Sequence, residues 1–87
     1  MDAEEKKRLK AKAKLMEPLV RIGKNGITES VVLQVKTLVT KRKLVKVKFL
    51  RSFVEDHDKK KAAKDLVEKT GAELIDRIGF TVVLYKR

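Results

Sequence analysis

The sequence predicts an α/β fold of the α+β kind: a two-layer, four-stranded mixed sheet with its helices packed on one face, in the order α-β-α-β-α-β-β. Three observations predict it. Apolar residues recur at helical spacing over residues 2–16, 28–42 and 58–70. Short apolar or alternating segments fall at 19–22, 44–50, 74–75 and 80–85, as strands require. Proline, glycine and capping residues sit at the junctions. Strands and helices interleaved in so short a chain are accounted for by one sheet covered by helices. The 87 residues support one domain, 1–87, with a small core that must use most of the large apolar side chains.

The first helix, over 2–16, is rich in Ala, Lys, Glu and Leu and has no β-branched residue. Leu9, Ala13 and Met16 form a thin apolar stripe on it. Pro18 ends the helical region, because the residue before a proline avoids the α conformation. Lys6, Lys7, Arg8, Lys10, Lys12 and Lys14 cover its other faces, either as solvated surface or as contacts to a polyanion. Leu19 to Ile22 is a short strand. The second helix runs from about Thr28 to Arg42 on Ile27, Val31, Val35 and Leu38, and its many valines make it depend on tertiary packing. Lys41, Arg42 and Lys43 suit the negative end of its dipole, and a contact role fits them equally.

Leu44 to Leu50 alternates, with Val45, Val47 and Phe49 on one face and Lys46 and Lys48 on the other. Those two lysines are either solvated or aligned on a phosphate backbone. Residues 51–55 read as a loop. Asp56 or Asp58 caps the third helix, which closes at Gly71 with Ala62, Ala63, Leu66 and Val67 facing inward. Leu74-Ile75 and Phe80 to Tyr85 read as a hairpin around Gly79.

Between the first strand and the second helix lies Gly23-Lys24-Asn25-Gly26. Glycine lets the backbone turn sharply and approach a ligand closely. A following helix start favours anions, and Lys24 adds a full positive charge. This is the composition of a phosphate clamp, although two glycines also occur in plain turns. The rest of the chain is basic: 23 Lys plus Arg against 12 Asp plus Glu, a formal net charge of +11. Such an excess favours a polyanionic partner, and nucleic acid fits it better than an acidic membrane or protein.

Other functions find little support. A phosphate-loop nucleotidase needs Gly-x-x-x-x-Gly-Lys-Ser/Thr, and the dinucleotide fingerprint needs a third glycine; neither spacing occurs. His57 is the one histidine, with no nucleophile or second ligand at a recognisable spacing. There is no cysteine, which excludes disulfides and thiolate metal sites. No cofactor, metal, small-molecule substrate or membrane partner is expected. No apolar run is long enough to cross a bilayer, and a cytoplasmic location is expected. Phe49, Phe53, Phe80 and Tyr85 are too few and scattered to suggest a stacking platform for single-stranded RNA.

Taken in order, Leu9, Ala13, Pro18-Leu19-Val20-Arg21-Ile22-Gly23-Lys24-Asn25-Gly26-Ile27-Thr28, Leu44-Val45-Lys46-Val47-Lys48, Lys69-Thr70-Gly71-Ala72 and Ile78 to Tyr85 resemble the CRM domain. This is the chloroplast RNA splicing and ribosome maturation family, and the resemblance is close to its single-domain YhbY-type members. The resemblance covers about Leu9 to Arg87. It implies a sheet with helices on one face, similar to the C-terminal domain of translation initiation factor 3. It also implies RNA binding without catalysis. Bacterial single-domain members associate with precursors of the large ribosomal subunit, so the RNA expected here is ribosomal, free or in a pre-ribosomal particle. The family's loop resembles that of KH domains, and its RNA-contacting role carries over to Gly23, Lys24, Asn25 and Gly26. Arg21, Lys12, Lys14, Lys46 and Lys48 are the residues expected to extend that contact. The chain departs from the pattern at Phe80, where family members often carry lysine, and between Phe49 and Asp58, which is longer than in bacterial relatives. A protein-interaction module of a ribonucleoprotein and a non-specific DNA-compacting protein remain the alternatives.

Overall fold

The structure, a computed structural model, describes residues 2–87. Its first helix, α1 (Ala3–Lys14), begins at Asp2, whose side chain accepts from the Glu5 N–H at 2.8 Å, and Glu4 and Glu5 suit the positive end of the dipole. Strand β1 (Val20–Ile22) follows, and then helix α2 (Glu29–Arg42), capped by the Thr28 hydroxyl, which accepts from the Val31 N–H at 3.2 Å. A single residue, Lys43, joins α2 to strand β2 (Leu44–Phe49) and takes a left-handed φ of 69° to do so. The chain continues through the short helix α3 (Arg51–Val54) into helix α4 (Lys59–Thr70), then strands β3 (Glu73–Ile78) and β4 (Thr81–Tyr85). Asp58 caps α4, and Gly71, at φ 73°, ends it.

The sheet has the order β1-β2-β4-β3. β1 runs parallel to β2, with α2 as the crossover, and the other pairs are antiparallel. The sheet is therefore mixed, as the sequence predicts. β1, one edge, is three residues long. β3, the other edge, carries a bulge between Leu74 and Asp76. Alternation sets the core. Val45, Val47 and Phe49 pair in register with the inward residues of β1 and β4 and meet Val35 and Val39 of α2, Phe53 of α3 and Leu66 of α4.

Two expectations are corrected. The helices do not all pack on one face. Leu44, Val83 and Ile75 point away from the main core and are covered by Ala13, with Leu9 and Met16 beside it. So α1 lies on the opposite face, and the domain has three layers. The cause is visible in β4, where Val82, Val83 and Leu84 are buried in succession. A strand buried on both faces needs a cover on both. The second correction is the stretch read as a loop at 51–55. It contains α3, because Phe53 is buried against Phe49 and pulls one helical turn onto the core.

Candidate nucleic-acid interface

One end of the sheet gathers the elements that matter. The C-terminal ends of β1 and β2, the β3–β4 turn and the starts of α2 and α4 all arrive there. The Gly26 N–H donates to the Gly23 carbonyl at 2.9 Å and closes a four-residue turn with Lys24 and Asn25 at its exposed corners. Gly26 has φ 72° and is buried, so its conformation, not its volume, selects glycine. Gly23 is half-buried, and a Cβ there would make only ordinary van der Waals contact with Leu50 Cδ1 at 3.4 Å and Ser52 Oγ at 3.5 Å. Ile27 and Thr28 separate the turn from α2.

Arg21 and Lys48 are exposed and stand opposite each other in register, on the stretch of sheet beyond the cover of α1. They and Lys24 place three cations around one end of two strands. Lys46 behaves differently. Its amine donates to the Ala13 carbonyl at 3.1 Å and the Met16 carbonyl at 3.2 Å, holding the C-terminal end of α1 to the sheet. Its side chain is thereby turned to a structural contact. Lys12 and Lys14 are exposed on the last turn of α1, beside that contact and not on the glycine turn. Of the nine residues expected, the structure brings together Gly23, Lys24, Asn25, Gly26, Arg21 and Lys48.

Sequence reasoning passed over α4. Its first turn is Lys59-Lys60-Lys61, with no acidic residue, against the preference of a helix N-terminus for negative charge. α1 and α2 follow that preference with Glu4, Glu5 and Glu29. Breaking a local rule at one helix is the pattern expected of a functional surface. Lys59 also reaches the hairpin: its amine donates to the Gly79 carbonyl at 3.2 Å and lies 4.6 Å from the centre of the Phe80 ring. A lysine thus stands at the turn where Phe80 replaces the family's usual one. The run of three lysines just after the Asp58 cap was the available sequence signal.

His57 lies in the bend between α3 and α4, where its ring stacks on Phe53 beside Gly26 and its N–H donates to the Phe53 carbonyl at 3.0 Å. Among the described residues no group of three or more His, Cys, Asp or Glu could hold a metal ion, and no helix is long and apolar enough to cross a membrane.

The family model of the CRS1 / YhbY (CRM) domain matches residues 1–86. The chain is 33% identical to the "Probable RNA-binding protein YqeI" of Bacillus subtilis over 86 residues, covering 99% of this chain and 88% of that one. It is 33% identical to the "Probable RNA-binding protein MJ0652" of Methanocaldococcus jannaschii over 81 residues, covering 93% of this chain and 60% of the relative. Among solved structures, the solution structure of the hypothetical protein SAV1595 from Staphylococcus aureus superposes with a TM-score of 0.80 at 33% identity, over 100% of this chain and 88% of that one.

Proposed function

The chain belongs to the CRS1 / YhbY (CRM) domain family, and from that premise we propose that it binds RNA and does no catalysis, its target being ribosomal RNA during assembly of the large subunit in the cytoplasm. RNA as the partner is supported by the names of the two relatives, each a "Probable RNA-binding protein". The ribosomal target rests on the resemblance to single-domain family members. The observation that carries the mechanism is the meeting of the Gly23–Gly26 turn with Arg21, Lys24 and Lys48 at one end of the sheet.

The turn exposes Lys24 and Asn25 at its corners and carries no side-chain bulk at the half-buried Gly23, so a sugar-phosphate chain can come close. The three cations neutralise its phosphates, and the N-terminal ends of α2 and α4 add positive potential. Lys59, Lys60 and Lys61 extend the same field toward the hairpin. Such a clamp reads backbone path and shape and holds an RNA fold in place.

Counterion release supplies the test. Affinity for a structured ribosomal RNA fragment should fall linearly on a log–log plot against salt, with a slope of about −0.7 to −0.9 per phosphate contact. Changing Arg21, Lys24 and Lys48 together to Ala should make that slope shallower by about 2 to 3. A triple variant that remains folded and keeps the wild-type slope would exclude this surface. Duplex DNA bound as tightly as structured RNA would favour the DNA-compacting alternative.

A further inference from the structure

Three rings run from the core to the surface beside the glycine turn, and the clamp makes no use of the last. Phe49 and Phe53 stack with centroids 4.9 Å apart and planes 17° apart. Phe53 and His57 stack at 4.5 Å and 18°. Both phenylalanines are buried, whereas His57 is exposed. One face of the imidazole is therefore held by Phe53, and the ring borders the open cleft between Ile27, just after the glycine turn, and α4. A Cβ placed on Gly26 would lie 3.8 Å from His57 Nε2, so the turn backbone runs along the edge of this ring.

We propose that His57 is a stacking seat for one unpaired nucleobase of the bound RNA, whose adjoining phosphates lie on the Lys24 side of the turn. The inference rests on the RNA-binding reading above and adds what part of the RNA enters the cleft. A ring already fixed by packing loses little freedom when a base settles on it. Four carboxylates, Asp56, Asp58, Asp65 and Glu68, and two amines, Lys61 and Lys64, line the cleft, and this acidic balance fits a base better than a phosphate. Asp58 is engaged in capping α4, and Asp65 pairs with Lys69 at 3.2 Å. Asp56 and Glu68 also line the cleft, and no partner of either lies there among the described ion pairs and hydrogen bonds. Carboxylates repel phosphate but accept from the N–H donors that every nucleobase carries on its pairing edge. A base paired in a duplex is enclosed in its stack, so the occupant comes from a loop, a bulge or an end.

The test uses two RNAs, a hairpin carrying 2-aminopurine in an unpaired loop and a blunt duplex of the same length, with the whole chain and two variants. Wild type should bind both and quench the 2-aminopurine on stacking. His57→Ala should lose the quenching and bind the hairpin about tenfold more weakly, as loss of one aromatic stacking partner does, while its duplex affinity stays the same. His57→Phe should restore both. Equal hairpin affinity and quenching for His57→Ala and wild type would overturn the seat and leave the clamp standing. An equal loss on both RNAs would overturn it too, assigning His57 to support of the turn. Wild type that binds neither RNA would remove the clamp, and the seat with it.

Discussion

The two ends of the sheet are both basic, and they use their charge in opposite ways. At the end where α2 and α4 finish, Lys41 and Arg42 sit in the last turn of α2 and Lys69 in the last turn of α4. There cations meet unsatisfied carbonyls and the negative end of each dipole, so much of their field is cancelled locally. Nearby links are also internal: the Lys86 N–H donates to the Lys43 carbonyl at 2.9 Å, and Arg87 lies 3.7 Å from Glu5. At the other end, Lys59 to Lys61 form the first turn of α4, where the dipole is already positive, and Lys24 lies in the turn that leads into α2. Charge and dipole add instead of cancelling. Net charge alone cannot separate a stabilised helix end from an anion-binding surface; the direction of the helices does.

The largest expected effect sharpens this contrast at Gly26. Asp and Asn both tolerate a left-handed backbone better than other residues, so the pair separates charge from conformation. Gly26→Asp should weaken RNA binding by about tenfold or more, since it adds a negative charge to the turn that carries Lys24. Gly26→Asn should cost much less affinity while shifting the thermal midpoint by a similar amount. Lys24→Ala, which removes one exposed charge, should fall between Asn and Asp in affinity and leave the midpoint in place. Filter binding alongside circular-dichroism melting distinguishes them. Equal affinity of the Asp and Asn variants would break the comparison, making the turn a matter of shape alone.

A middle-sized effect separates two lysines on one strand face. Lys46→Met should destabilise the fold by about 1 kcal/mol, because the carbonyls of Ala13 and Met16 lose a charged donor, and RNA affinity should hold. Lys48→Met should do the reverse, leaving the urea midpoint unchanged while weakening RNA binding a few-fold. Loss of affinity in the Lys46 variant at full stability would show that its contact with α1 opens on binding.

The smallest effect has opposite signs in two measurements. Lys60→Glu places an acid in the first turn of α4 and should raise the melting temperature by a few degrees. The same change should lower RNA affinity. A variant both more stable and fully active would mean that this helix start merely tolerates its lysines.

Much of the loop end is legible in sequence because its rules are local. The two glycines, the Thr28 cap and the Asp58 cap each depend on neighbours within a few residues. What escapes is set by distant contacts. Lys46 and Lys48 share a strand face and a residue type, and only the docking of α1 distinguishes them. The placement of α1 is ambiguous from its own stripe of Leu9, Ala13 and Met16, which fits either face of a sheet; the deciding clue lies in the unbroken Val82-Val83-Leu84 run. Phe53 and His57 are four apart, but His57 lies beyond the end of α3 and the pair is too short to give a period. The Lys59–Lys61 run is plain to see and reads as surface until the helix start beneath it is known.

A polyanion draws many copies of a basic protein onto one strand, and crowding of that kind favours edge-to-edge sheet growth. Here both edges resist it. β1 offers three residues, too few to template a partner, and its exposed side chain is Arg21. β3 is longer, but the shift between Leu74 and Asp76 breaks the even row of donors and acceptors that an added strand would need. Neither edge therefore offers the long, regular row of free donors and acceptors on which a sheet grows.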